Sequence, residues 1–248
     1  AAFWGQLNGH IVDLGWNFDS SLLACQSPQW VDGVVTIWRP DGTFLRGLRH
    51  GGAVGQVSWH PSRNWLATVD HNRCLLWDVD AGSYQLVGTY PNATVVRFSP
   101  DGSLLAISAQ YGDDFTVRIW RTSDGKELQV LDGHRGPVHR VAWNADGDQL
   151  MSAGLGGLVI LWNPHQGNQL RQFKTDDQNV FITWSNDGKH LVATGGVHGR
   201  PFFFDSNGEK INLDFECAFR FSRHRRHFER SRPILSAARD QGQFAVGW

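Results

Sequence analysis

The chain has 248 residues, 41% of them apolar, and 23 Lys and Arg against 24 Asp and Glu give a formal net charge of -1. A chain of this length can bury a large core, and its near-neutrality removes any global electrostatic case for nucleic acid. Three widely spaced cysteines (Cys25, Cys74, Cys217) argue against a disulfide framework and for a reducing compartment.

Residues 1–8, ending at Gly9-His10, read as one short strand. After them a single phrase recurs. Val57-Ser58-Trp59-His60-Pro61, Val96-Arg97-Phe98-Ser99-Pro100-Asp101-Gly102, Val141-Ala142-Trp143-Asn144-Ala145-Asp146-Gly147 and Ile182-Thr183-Trp184-Ser185-Asn186-Asp187-Gly188 are its variants. Each predicts an apolar strand running into a tight turn that needs the positive φ glycine tolerates. A second strand follows (Leu66-Ala67-Thr68, Leu104-Leu105-Ala106, Leu191-Val192-Ala193), then a third that closes on an aromatic residue, as in Leu158-Val159-Ile160-Leu161-Trp162. Another Gly turn leads to a fourth, such as Glu127–Leu131. No stretch carries a convincing amphipathic helical period.

The aromatic residues count the units. Trp38, Trp77, Trp120, Trp162 and Phe204 lie at intervals of 39, 43, 42 and 42, and Trp248 falls 44 further on. A second series, Trp16, Trp59, Phe98, Trp143, Trp184 and Phe221, runs out of phase with it. Two interleaved series near a 42-residue period mean one supersecondary unit repeated six times, each burying its apolar face against its neighbours. Four short antiparallel strands per unit match the blades of an all-β propeller.

Gly133-His134, Trp162-Asn163 and Trp77-Asp78, with Gly9-His10 and Arg49-His50, resemble the Gly-His and Trp-Asp marks of the WD-repeat β-propeller family. The resemblance covers nearly the whole chain and rests on spacing more than on any dipeptide. It implies one domain over residues 1–248, with blades near 9–48, 49–90, 91–132, 133–173, 174–213 and 214–248. It also implies a buried tetrad of His, Ser or Thr, Asp and Trp. Asp32 and Asp114 stand at the Asp position, six residues before the Trp, whereas His71, Gly156 and His198 replace it elsewhere. The tetrad is therefore incomplete in most blades, which must rest on aromatic and aliphatic packing. The first expectation for closure is a six-bladed ring in which residues 1–8 supply the last blade's fourth strand and remove an exposed edge. The other is a piece of a larger ring, often seven-bladed in the family.

Function is sought where the repeat breaks. From the Ala of the second strand to the closing Trp, the second blade takes ten residues (Ala67 to Trp77), but the first and third take fourteen (Ala24 to Trp38, Ala106 to Trp120). In the family these turns open on one face around the central channel. The insertions hold Trp30 and Asp32 in the first blade and Tyr111, Asp113 and Phe115 in the third, and His198 and Arg200 lie in the matching turn of the fifth. Exposed aromatic anchors beside a carboxylate suit a protein or peptide partner carrying Lys or Arg. The bland alternative folds Trp30 back onto its own blade and leaves the Asp residues as turn caps; Trp65 belongs at a half-buried outer position.

A second anomaly is the run 223–233, where Arg223, Arg225, Arg226, Arg230 and Arg232 face one Glu. It replaces a short turn on the opposite face and offers phosphate, RNA or acidic-partner binding as the alternative function, against a solvated loop. One such loop supplies few phosphate contacts, so nucleic acid is not the expected partner. His224 and His227 with Cys217 lack a fourth ligand, and no metal or cofactor is expected. There is no Gly-x-Ser-x-Gly and no metal triad, so no catalytic residue is assigned. A channel-mouth hydrolase using Asp13, Asp70, His71 or His198 is the third reading. With no apolar run of 18 residues, the expectation is a non-catalytic, monomeric, cytoplasmic interaction scaffold.

Overall fold

The computed structural model describes residues 13–27, 33–70, 72–175, 180–195, 201–211, 234–237 and 244–247. Five four-stranded antiparallel sheets follow one another along the chain. The first holds β1 (Asp13–Trp16), β2 (Leu23–Ser27), β3 (Val34–Trp38) and β4 (Phe44–Arg49). The second holds β5 (Val54–Trp59), β6 (Trp65–Asp70), β7 (Arg73–Asp78) and β8 (Ser83–Thr89), and the third β9 (Ala93–Phe98), β10 (Leu104–Ala109), β11 (Val117–Arg121) and β12 (Glu127–Leu131). The fourth comprises β13 (Val138–Trp143), β14 (Leu150–Gly154), β15 (Leu158–Asn163) and β16 (Asn168–Lys174). The fifth comprises β17 (Val180–Trp184), β18 (His190–Gly195), β19 (Phe202–Asp205) and β20 (Lys210–Ile211). A hairpin of β21 (Ile234–Ala237) and β22 (Phe244–Gly247) follows. The sole helical turn among the described residues is a 3-10 turn at Leu155–Gly157.

Within each four-stranded sheet the strands pair in chain order. The tight turns that make this possible are closed locally. At Asp101-Gly102, Gly102 takes φ +75 and a side chain there would collide with the His60 ring, while the Asp101 carboxylate accepts the Ser103 amide at 3.0 Å.

Consecutive sheets meet through their first strands, β1 on β5, β5 on β9, β9 on β13 and β13 on β17, and β17 also meets β21. Three indoles fasten this inner layer. Trp59 donates to the Gly15 carbonyl at 2.8 Å, Trp143 to Arg97 at 3.2 Å and Trp184 to Ala142 at 3.2 Å, each reaching the first strand of the preceding sheet. Trp59, Trp143 and Trp184 of the out-of-phase series thus bridge adjacent sheets, whereas Trp38, Trp77, Trp120, Trp162 and Phe204 are all buried. The core is divided accordingly. One apolar cluster joins the first and second sheets around Ile37, Leu66 and Trp77, and another joins the second and third around Val69, Ile107 and Trp120. A third joins the third and fourth around Ile119, Leu150 and Trp162, and a fourth the fourth and fifth around Met151, Leu161 and Phe204. Each sheet covers its neighbour's apolar face, the nearest-neighbour logic of a repeat array.

Trp16 departs from its series: it is 47% exposed, with Leu14 and Phe18 also exposed beside it, on the first strand of the first sheet. The expected closing segments, residues 1–8 and Trp248, lie outside the described residues. Trp65 is half-buried, as expected, with the Arg63 guanidinium 4.7 Å from its ring centroid.

Candidate docking face

The turns between second and third strands differ in length as the spacing implies. Residues 71–72 suffice to join β6 to β7, but 110–116 separate β10 from β11. The longer turn is anchored at its base and open at its tip. Asp114 accepts the Thr116 amide at 3.1 Å, its hydroxyl at 2.6 Å, and the Arg118 guanidinium at 2.7 Å. Partial burial works to raise the Asp114 carboxyl, but the Thr116 bonds and the Arg118 charge outweigh it and hold the group below the ordinary carboxylate range. Arg118 also reaches Glu127 at 3.0 Å and stacks 4.6 Å over the Tyr90 ring. Tyr90 is fully buried and donates its hydroxyl to the Thr116 carbonyl at 2.8 Å; burial pushes its pKa up to about 12, so it stays a neutral donor.

This arrangement corrects the tetrad reading of Asp114. In the fourth sheet, His134 Nε2 lies 2.7 Å from Ser152 Oγ, which also accepts the Trp162 indole N–H at 2.8 Å. The corresponding residue in the third sheet is Tyr90, a tyrosine where His134 and His50 stand in their units. Asp114 is therefore turned to Thr116 and Arg118 instead of a histidine, and the buried Trp120 indole N–H has no partner. The second sheet keeps a Trp77 bond to Thr68 at 3.0 Å, but both ring nitrogens of the buried His50 are unpaired and the ring packs edge-on to Trp77. The full four-membered network is absent from these three sheets: His71 and Gly156 stand at the Asp position in the second and fourth, and Tyr90 stands in place of the histidine in the third.

Above that base the tip is exposed. Tyr111 is 62% accessible, Gly112 and Asp113 are exposed, and Phe115 is half-buried. Asp113 forms no hydrogen bond or ion pair among the described residues, in contrast to Asp114 beside it. Tyr111 and Asp113 thus present an aromatic ring and an uncommitted carboxylate together, whereas Phe115 is partly withdrawn toward the blade. Trp30, Asp32, His198 and Arg200 lie outside the described residues, as does the basic run with Arg223, Arg225, Arg226, Arg230 and Arg232.

Residues 41–78, 85–121 and 125–163 match the family model described as WD domain, G-beta repeat. Human Coronin-7 is 30% identical over 192 residues, covering 72% of this chain and 20% of that protein. The mouse F-box-like/WD repeat-containing protein TBL1X is 29% identical over 178 residues, covering 64% of this chain and 33% of that protein. The chain belongs to the WD-repeat family. It spans about a fifth to a third of the length of these curated relatives.

The described histidines His50 and His134 are buried in the repeat. Burial lowers His50 and His134 to about 4, so both are neutral near pH 7. Of the residues considered for a channel-mouth hydrolase, Asp70 is tied to Arg73 at 2.6 Å and to the Arg73 amide at 3.0 Å, and Asp13 accepts the Leu14 and Val57 amides, each at 3.1 Å. His71 and His198 lie outside the described residues. No group of three or more His, Cys, Asp or Glu able to hold a metal occurs among the described residues, and no described helix is long and apolar enough to cross a membrane. Cys25 and Cys74 are free thiols; burial pushes Cys74 up to about 12, which removes it from thiolate chemistry.

Sequence reasoning did not find the Tyr90–Thr116–Arg118 support. A signal was present: Thr89-Tyr90 stands where Arg49-His50 and Gly133-His134 stand in neighbouring repeats. It also passed over the arginines of the inner strands, Arg97 and Arg140, because in sequence they read only as strand residues.

Proposed function

We propose that the chain is a non-catalytic WD-repeat scaffold, a single propeller over residues 1–248, that docks a peptide or protein partner on the face of the inserted turns. The observation that supports this most is the tip of the third-sheet turn: an exposed Tyr111 and an unpaired Asp113 on a base held by Asp114, Thr116, Arg118 and Tyr90. A rigid aromatic anchor costs little entropy on binding, and a rim carboxylate steers a basic partner. Trp30, Asp32, Phe115, His198 and Arg200 are the further members of this proposed face. The proposal places the protein in the cytoplasm as a monomer, with six blades closed by residues 1–8.

The test is capture from a native lysate by the wild-type chain, followed by affinity measurement with the captured protein. Tyr111→Ala and Trp30→Ala should each weaken binding, with about 2 kcal/mol or more at the stronger anchor. Asp113→Lys should chiefly slow association and alter its salt response. Full binding by a Trp30, Tyr111 and Phe115 triple alanine variant, lost instead on neutralising Arg225, Arg226 and Arg230, would move the active surface to the basic run and reject the reading.

A further inference from the structure

The first strands line an open cavity of about 590 Å³ at the end of the inner layer where the turns from first to second strands converge. This is the end opposite the Tyr111 turn, so the cavity is independent of the proposed docking face. Its volume falls within the roughly 300–1,000 Å³ of ordinary ligand sites. Four aromatic residues of one repeat series, Trp59, Phe98, Trp143 and Trp184, form much of its wall. The three indole N–H groups are already spent on carbonyls of the preceding strands, so the rings offer apolar surface and no hydrogen-bond demand.

The charge in this wall is of one sign. Arg97 and Arg140 line the cavity, and no acidic residue does among the described residues. Arg140 lies 4.9 Å from the Phe181 ring centroid and donates to the His139 carbonyl at 2.8 Å. Arg97 is half-buried. Its Nη1 donates to the Val57 carbonyl at 3.1 Å and the Val96 carbonyl at 2.8 Å, both neutral acceptors. Its Nε and Nη2 donors make no hydrogen bond among the described residues, and it forms no ion pair. The acid it senses is Asp13, whose two oxygens are occupied by the Leu14 and Val57 amides. Burial works against the Arg97 charge and Asp13 offsets only part of that. A half-buried guanidinium that lines a cavity and keeps unspent N–H donors is stabilised by a planar anion that accepts two of them.

We propose that this cavity is a receptor for the carboxylate of an acidic peptide segment, with one Asp or Glu side chain paired to Arg97 and flanking apolar side chains against the Trp59, Trp143 and Trp184 rings. A folded domain could not enter such a volume, whereas one side chain and its neighbours fill it. The aromatic walls favour a carboxylate carried between apolar residues over a hydrated free ion.

The experiment uses the full chain and four blocked tripeptides, acetyl-Phe-Asp-Phe-amide, acetyl-Phe-Glu-Phe-amide and their Asn and Gln counterparts. Titrations are followed through the indole N–H resonances of the 15N-labelled protein. At least one acidic peptide should saturate the shifts of Trp59, Trp143 and Trp184, with its amide counterpart at least tenfold weaker. Arg97→Met should weaken the acidic peptide at least tenfold and leave the Asn and Gln peptides unchanged, and Arg97→Lys should retain part of the preference. Asp13→Asn, which removes the competing acid but keeps an oxygen for the Val57 amide, should tighten binding severalfold; a merely misfolded variant would not. Equal binding of acid and amide peptides, an unchanged affinity in Arg97→Met, or no shift with any of the four peptides would overturn the proposal. So would displacement by inorganic phosphate at the peptide's own concentration, which would assign the site to a free anion.

Discussion

Two tryptophans in equivalent positions allow a hydrogen bond to be weighed against its absence. Trp162 is 1% exposed and donates to Ser152 at 2.8 Å, whereas Trp120 is 8% exposed and its buried N–H has no partner. Replacing either by Phe removes similar volume from a similar inter-sheet core, so a cavity cost of about 1–2 kcal/mol is common to both. At Trp162 the change also breaks a bond with a net value of about 1 kcal/mol. At Trp120 it removes an unsatisfied donor whose burial costs about 1–3 kcal/mol. Trp162→Phe should therefore destabilise by about 2–3 kcal/mol and Trp120→Phe by about 1 kcal/mol or less, a gap that urea denaturation midpoints at unchanged slope resolve. Ser152→Ala supplies the control, since it strands both the Trp162 N–H and His134; with Trp162→Phe it should give a coupling of about 1 kcal/mol in a double-mutant cycle. Equal losses at Trp120 and Trp162, or a coupling near zero, would show that the His134–Ser152–Trp162 chain adds nothing beyond packing.

The two buried histidines predict an acid-sensitive stability. Burial is the main cause that lowers His50 and His134 from 6.5 to about 4, so in the window between those values the unfolded chain binds protons that the folded chain does not. Their contribution is complete above pH 6.5 and is lost as pH falls toward 4; a urea midpoint that stays flat from pH 6.5 to 4.5 would contradict it, and His134→Gln should remove part of the slope. Asp114→Asn should loosen the third-sheet turn by about 1 kcal/mol or less, as expected for a part-exposed ion pair, and speed amide exchange at Thr116 while leaving the Trp120 core protected. Unchanged exchange at Thr116 would mean that the turn is held by Tyr90 alone.

The repeat was legible because its signals are local. Asp-Gly turns and strand-closing aromatics each lie within a few residues and recur at a period near 42, and the sheets follow them in chain order. The turn at 110–116 was legible too, since a count between Ala106 and Trp120 exposes it. What escaped the sequence depends on contacts across sheets. Tyr90 meets Thr116 across 26 positions and Arg97 meets the Val57 carbonyl across 40; the repeat marks Tyr90 as a replaced histidine, but nothing local marks the partner of either residue. The position of Asp114 in the tetrad was read correctly, but the histidine it would serve is a tyrosine in the adjoining unit, which the alignment of Tyr90 with His50 and His134 already showed.

The distribution of carboxylates between turns argues for where partners bind. In several short turns the Asp is consumed by its own backbone. Asp41 accepts the Thr43 amide at 2.8 Å, Asp124 the Lys126 amide at 3.1 Å, Asp187 the Lys189 amide at 3.1 Å and Asp205 the Asn207 amide at 2.9 Å. The Thr43 and Ser185 hydroxyls, together with those amides, hold Asp41 and Asp187 below the ordinary carboxylate range, which is the signature of charge already stabilised within the fold. A partner competing for such a group must first replace the bonds it already makes. Asp113 carries no such debt, because the inserted residues lift it beyond its own turn's amides while Asp114 takes the anchoring role. Insertion therefore does more than lengthen the loop: it separates Asp114, the carboxylate that holds the turn, from Asp113, the exposed one that the proposed docking face requires.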